Sequence, residues 1–193
     1  MKKKFSKILL KKVINMKYLK VPKERVGVLI GHNGETKKKI EEISQTKLEI
    51  DSAEGEVIID EHEAKDPLLN LKVESVVRAI GRGFSPEHAI RLFKEEMDFF
   101  IFDIHDYVGK KETHIRRLKS RIIGRNGKTK RVLETLTGAD ISIYGHTISI
   151  IADFESIDIT KRAVDMLLNG RKHSNVYKFV EKKMKKLRFE QRF

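Results

Sequence analysis

Two glycine pairs of the form Gly-x-x-Gly could bind a phosphate group, Gly31–Gly34 and Gly124–Gly127. Glycine has no Cβ atom, so a backbone that turns at such a pair can approach a ligand closely. If a helix begins at the second glycine, its free amides and the positive end of its dipole point at that ligand. The side chains between the glycines are His32 and Asn33 in the first pair and Arg125 and Asn126 in the second. Both loops are therefore predicted phosphate sites.

Other chemistries lack the residues that they need. The segment Gly127-Lys128-Thr129 is similar to the end of a nucleotide-binding P-loop, but that motif requires a glycine where this chain has Ile122. The chain has no cysteine, and its seven histidines lack a paired ligand spacing, so we predict neither a metal nor a cofactor. No pair of carboxylates stands out as catalytic, and solvation is their default role. The sequence predicts a binding protein, with an enzyme as the alternative from another class.

The two loops belong to a repeat with an offset of 93 residues. Residues 28–37 align with residues 121–130, and the glycines of both pairs fall in register. The register continues through four apolar pairs, Ile40/Leu133, Ile43/Leu136, Leu48/Ile141 and Ile50/Ile143. A single Gly-x-x-Gly carries little information, whereas two in one register indicate a duplicated domain.

Hydrophobic periodicity predicts the same elements in each copy: a strand, a helix, the glycine loop, a second helix, two strands and a third helix. The first strand is predicted at Tyr18–Val21 in one copy and at Phe99–Ile104 in the other. The third helices are expected to end at Gly81 and Gly170. This order predicts an α+β protein of two tandem domains, each a three-stranded sheet packed by three helices, plus basic terminal segments.

Three segments divide the chain. Residues 1–17 are predicted to be a basic N-terminal extension. Residues 18–95 form the first domain with a connecting helix that begins at Ser85-Pro86. Residues 96–193 form the second domain with a basic C-terminal helix. No run of 18 apolar residues occurs, so we expect no transmembrane helix and no membrane partner. The lack of cysteine favours a reducing compartment, and we expect a cytoplasmic protein.

An apolar groove beside each loop is predicted to hold nucleotide bases. We expect the groove to be formed by Leu29, Ile30, Leu48 and Ile50 in the first copy, and by Ile122, Ile123, Ile141 and Ile143 in the second. Bases can enter such a groove only where they are unstacked, as in single-stranded RNA. A phosphate loop beside this groove therefore predicts a single-stranded RNA partner.

The charge distribution agrees with a polyanionic partner. The formal net charge of +13 is concentrated in residues 1–23, 108–131 and 171–193, with acidic stretches between them. Residues 108–131, around the second loop, carry ten basic side chains and one acidic one, against six and four in residues 20–43 around the first. The second copy is therefore predicted to dominate RNA affinity, with Arg121, Lys128 and Arg131 adding to its phosphate site.

The order of elements resembles the eukaryotic-type (type I) KH domain, whose Gly-x-x-Gly loop clamps about four nucleotides. A closer resemblance covers nearly everything after residue 17. It is to the Dim-two or partner-of-Nob family of tandem KH proteins, found in archaea and eukaryotes. The segments that carry it are residues 83–89, 98–106, 122–130 and 176–193.

The resemblance implies a role in small-ribosomal-subunit assembly. Members of that family bind precursor ribosomal RNA near the 3′ end of the small-subunit RNA, and they cooperate with the endonuclease and the dimethyltransferase that act there. Their intact loop maps to Gly124–Gly127. This chain also keeps Gly31–Gly34, as archaeal relatives do. The alternative within binding proteins is a general tandem-KH adaptor in RNA decay or transcription.

The predicted RNA-binding residues come from both loops and their flanks. They are Gly31, His32, Asn33, Gly34, Arg121, Ile122, Ile123, Gly124, Arg125, Asn126, Gly127, Lys128 and Arg131.

Overall fold

A computed structural model describes residues 16–60 and 66–190 of the 193-residue chain. The chain divides into two compact units, with the boundary between Phe93 and Lys94. The predicted N-terminal extension lies outside the described residues except for Met16 and Lys17, which begin the first strand. In the described part of the chain, no helix combines the length and the apolar composition needed to cross a membrane.

The first unit contains a three-stranded antiparallel sheet with the strand order β1-β3-β2. Its elements are β1 (Met16–Lys20), α1 (Lys23–Ile30), α2 (Glu35–Ser44), β2 (Lys47–Asp51), β3 (Glu56–Asp60), α3 (Pro67–Gly81) and α4 (Pro86–Ile90). The core lies between the sheet and the helices. Its largest wholly buried side chains are Leu29, Ile40, Leu48, Ile59, Ile80 and Leu92.

The second unit repeats this plan, with the strand order β4-β6-β5. Its elements are β4 (Met97–Asp103), α5 (His105–Val108), α6 (Glu112–Ile123), α7 (Lys128–Thr137), β5 (Asp140–Tyr144), β6 (Thr147–Asp153), α8 (Phe154–Leu168) and α9 (His173–Glu190). The predicted fold class, two α+β domains each with a three-stranded sheet, is confirmed.

Both first strands begin two residues earlier than periodicity indicated. Met16 pairs with Asp60 in one sheet, and the buried Met97 pairs with Asp153 in the other. The predicted end of the second of these strands, Ile104, has left the strand and is wholly buried before α5. Sheet pairing, which periodicity does not detect, sets these bounds.

The duplication extends to polar contacts that the apolar pattern did not reveal. The Glu41 carboxylate accepts a hydrogen bond from the backbone N–H of Leu48 (2.7 Å), and Glu134 does the same for Ile141 (2.9 Å). These residues are 93 positions apart, as in the repeat. Each bond ties the helix that follows the glycine loop to the edge strand beside it, which holds the loop at a fixed place on the domain.

Helix α9 is part of the second domain's core. Val176, Val180 and Met184 are buried in the same apolar cluster as the sheet residues. The Tyr177 hydroxyl donates to Oγ1 of Thr129, in the first turn of α7, at 3.1 Å. The basic C-terminal helix is therefore docked beside the second glycine loop, with its lysines on the outer side.

Candidate nucleic-acid interface

The two glycine loops have the same backbone conformation. Gly31 and Gly124 have φ of 76° and 72°, Asn33 and Asn126 both have φ of 51°, and Gly34 and Gly127 have φ of 78° and 73°. Asparagine is one of the few side chains that tolerate this left-handed region. The pattern Gly-x-Asn-Gly thus suits this turn, and the helices α2 and α7 begin directly after it.

The glycines of each pair serve different purposes. A Cβ on Gly124 would lie 2.7 Å from the backbone nitrogen of Thr129, and a Cβ on Gly31 would lie equally close to that of Thr36. The first glycine therefore allows the turn to pack onto the following helix. By contrast, the space beside Gly34 is open, and the nearest atom to a Cβ on Gly127 is 3.9 Å away. The second glycine leaves the backbone uncovered at the helix N-terminus.

Three cations surround the second loop. Arg125, Lys128 and Arg131 are exposed, and the Arg131 guanidinium donates to the carbonyl of Asn126. A cavity of about 640 Å³ opens beside them, and its lining includes no acidic residue: Arg125, Asn126, Lys128, Arg131, Val132, Thr135 and Leu136. These three cations therefore lie together at the second loop, as the sequence predicted.

The first loop has a different electrostatic setting. Its cavity, of about 480 Å³, is lined by two acids among its six residues: His32, Asn33, Glu35, Lys38, Lys39 and Glu42. Glu35 takes the first position of α2, where the second copy has Lys128 in α7. A carboxylate there opposes a phosphate at the helix N-terminus. Glu35 was not among the predicted site residues, although the repeat register pairs it with Lys128.

Arg121 does not reach the second loop. Its Nε donates to the Leu167 carbonyl (2.8 Å), and another guanidinium nitrogen donates to the Arg171 carbonyl. These carbonyls belong to the end of α8 and the segment after it. Arg25 does the same in the first unit, on the carbonyls of Ile80 (2.8 Å) and Phe84 (2.6 Å). In this conformation Arg121 is a structural clamp within the domain, apart from the cations around the loop.

Fewer residues can line the apolar grooves than the sequence suggested. The Ile122 side chain has no exposed surface, and Leu29, Leu48 and Ile141 are also buried, so these four support the grooves from within the core. The neighbours Ile30, Ile50 and Ile143 are half-buried. Ile123 is 37% exposed and lines a cavity of about 520 Å³ between α6 and the β5–β6 turn. In each predicted pair one residue is buried and the other keeps exposed surface, so only one residue of each pair can meet a ligand.

Comparison with protein families gives two matches, one in each unit. A model described as the eukaryotic-type KH domain (KH-domain type I) matches residues 98–185, and a KH-domain model matches residues 16–65. A KH domain-containing protein from Methanocaldococcus jannaschii is 47% identical over 179 residues, which are 91% of this chain and 78% of the relative.

Solved structures agree with this assignment. A protein of unknown function from Aeropyrum pernix has a TM-score of 0.87 and 36% identity, over 92% of this chain and 94% of that one. Dim2p from Pyrococcus horikoshii has a TM-score of 0.80 and 43% identity, over 86% of this chain and 98% of that one. A chain in the a/eIF2alpha–aDim2p–rRNA complex from the same organism gives 0.81 and 42%, over 89% and 94%. With a KH match in each unit, and with identities of 42–47% to the Methanocaldococcus jannaschii and Pyrococcus horikoshii relatives, the chain belongs to the Dim2 or partner-of-Nob family of tandem KH-domain proteins.

Proposed function

We propose that this protein binds single-stranded RNA without catalysing a reaction, and that the second KH domain is its principal RNA site. The observation that carries the proposal is the setting of the Gly124–Gly127 loop. Uncovered backbone at the start of α7 lies beside Arg125, Lys128 and Arg131, in a cavity with no acidic lining residue. Helix amides and these cations together suit a nucleic-acid phosphate.

The groove beside the loop suits unstacked bases. Ile123 supplies exposed apolar surface next to Gly124, and Ile143 lies half-buried on the edge strand β5. Duplex RNA keeps its bases paired and stacked, so it cannot insert a base into this groove. We therefore expect a preference for single strands.

The RNA is proposed to be small-subunit ribosomal RNA near its 3′ end, with the protein acting in ribosome assembly or rRNA processing. Two findings support this proposal. The chain is a family member, and one relative is found in a complex with rRNA. The rRNA endonuclease and the dimethyltransferase are proposed as protein partners on the family resemblance alone.

Cross-linking the protein to RNA in cells and sequencing the bound fragments tests the proposal. Fragments should be enriched at the 3′ end of the small-subunit RNA. Enrichment in messenger RNAs, without a small-subunit peak, would favour a general adaptor in RNA decay or transcription. In vitro, a matched single strand should bind more tightly than its duplex. Equal affinities would leave only nonspecific charge as the source of binding.

A further inference from the structure

Three side chains with metal-binding atoms converge at one end of the second sheet: Asp103, His105 and His146. One donor atom from each lies within 4.8 Å of the other two. His105 Nδ1 is 2.9 Å from one carboxylate oxygen of Asp103, and His146 Nε2 is 3.7 Å from the other. The two imidazole rings are 4.3 Å apart at an interplanar angle of 31°. Both histidines therefore face the same carboxylate.

The backbone holds these residues together although His105 and His146 are far apart in sequence. Asp103 ends β4 and pairs with Thr147, the first residue of β6. His146 precedes Thr147 in the β5–β6 turn, and its carbonyl accepts a hydrogen bond from the Ile104 N–H at 2.9 Å. The backbone N–H of His105 donates a hydrogen bond to the Asp103 carboxylate at 2.8 Å, and this bond orients the carboxylate. The pairing of β4 with β6 thus brings the three residues together.

The donor set is that of a zinc-like ion. Two imidazole nitrogens and one carboxylate oxygen suit Zn²⁺, Co²⁺ or Ni²⁺, whereas Mg²⁺ and Ca²⁺ prefer oxygen ligands throughout. Bond lengths of about 2.0–2.1 Å to a tetrahedral ion put neighbouring ligand atoms about 3.3 Å apart. The observed spacings of 2.9 and 3.7 Å, each to a different oxygen of Asp103, lie on either side of that value. All three donor atoms lie within 4.8 Å of one another, so shifts of about 1.5 Å or less would form the site.

We propose that Asp103, His105 and His146 bind one divalent transition-metal ion, with the fourth position taken by water or another ligand. The histidine pair lines the same cavity as Ile123, together with Glu112, Arg116 and Lys119. A bound ion would add positive charge to this groove wall. The other charged residues that line the cavity are one acid and two bases, so they contribute no net negative charge. The affinity for the metal ion must therefore come from the three donor side chains.

Sequence spacing could not reveal this site. The donors come from a strand end, the first turn of a short helix and a hairpin turn, and only the pairing of β4 with β6 brings them together. The prediction of no metal site rested on histidine spacing along the chain, which does not detect ligands from separate elements.

Metal titration of the tag-free full chain tests the proposal. Zn²⁺ is added in competition with a chromophoric chelator at neutral pH, and the wild-type protein should take up one equivalent. The variants His146→Ala and His105→Ala should each weaken that binding by more than about tenfold. His88→Ala, an exposed histidine in the other unit, is the matched control and should leave the Zn²⁺ affinity unchanged. Co²⁺ should give the intense visible absorption of a four-coordinate ion in the wild type only.

A stability readout keeps the test independent of the chelator. Zn²⁺ should raise the Tm of the wild-type protein but not that of the His105→Ala/His146→Ala double variant, and Mg²⁺ should raise neither. Circular dichroism checks that each variant is folded. Uptake of no metal, or equal affinity in the double variant, would overturn the proposal. The trio would then be a hydrogen-bonded carboxylate–histidine cluster.

Discussion

The first glycine of each loop is required for two separate reasons. Its φ is positive, and a Cβ there would collide with backbone as well as strain the turn. Gly138 at the end of α7 separates these effects, because it has φ of 74° but open space around a Cβ. It offers a control that carries the backbone strain alone.

Gly124→Ala should therefore destabilise the protein more than Gly138→Ala. The positive φ alone should cost about 1–2 kcal/mol in the free energy of unfolding. The contact with Thr129 should add about 1–3 kcal/mol at Gly124, as overpacking does. Chemical denaturation of both variants measures the difference. Equal losses would mean that the turn relaxes around the added methyl group and that the close approach is not essential.

Tyr107 carries a pH-dependent part of the stability. Burial, then the hydrogen bond from its hydroxyl to Asp165 (2.9 Å), and the charges of Asp165 and Asp106 raise the pKa of Tyr107 from 10.0 to about 12. The fold thus favours the protonated phenol. Its contribution is complete below pH 10, the pKa of the unfolded state, and is lost as the pH rises through the folded value of about 12.

Tyr107→Phe should remove this contribution. The gap in unfolding free energy between wild type and variant should be constant below pH 10 and should shrink between pH 10 and about 12. Denaturation curves at several pH values measure the gap, and tyrosinate absorbance follows the ionisation directly. A gap that stays constant across this range would show that Tyr107 ionises in the folded protein as it does in the unfolded chain.

Helix α9 combines a core face with a charged face. Lys182, Lys185 and Lys186 are exposed, and they line a groove of about 680 Å³ together with Leu136 and Phe189. Leu136 also lines the cavity beside the second loop, so the two grooves adjoin. This arrangement extends the basic surface of the loop along the C-terminal helix.

Changing these three lysines to glutamine should weaken RNA binding without changing the preferred sequence, because contacts to phosphate position RNA but do not read bases. For single-stranded RNA, each lost phosphate contact should make the slope of log K against log salt concentration shallower by about 0.7. Titrations at several salt concentrations measure the slope. The control is a variant of the first unit with the same loss of charge, in which glutamine replaces Lys20, Lys23 and Lys47. An equal effect from this control would reduce the role of α9 to net charge.

The helices and strands were predictable because their signals are local. Apolar spacing and glycine positions placed both loops and the helices on either side of them. Helix α5 and the inward turn at Ile104 were not predicted, since they depend on the wholly buried Ile104 side chain and on the Asp103 carboxylate. Arg121 was assigned to the phosphate site because it lies next to the loop in sequence. Its actual partners are 46 and 50 residues away in the chain, where no sequence pattern points.

The duplicated fold carries two glycine loops with unequal charged surroundings. Both loops share one backbone geometry, so their difference lies in charge. Glu35 and Glu42 line the first cavity, whereas no acid lines the second. The sequence predicted this inequality from charge counts, and the structure locates it at the first position of the helix after each loop. Selection of a polyanion by the second domain would follow directly from this difference.

Matched substitutions in the two loops test the central claim most directly. Two double variants place carboxylates at equivalent exposed positions: Arg125→Asp/Asn126→Asp in the second loop and His32→Asp/Asn33→Asp in the first. Aspartate tolerates the left-handed backbone of Asn33 and Asn126. RNA binding is titrated at one salt concentration, with circular dichroism as the folding control. The change in the second loop should cost about 1.5–3 kcal/mol of binding free energy for each charged hydrogen bond lost. The change in the first loop should cost clearly less. Equal losses, or a larger loss from the first loop, would contradict the assignment of the second KH domain as the principal RNA site.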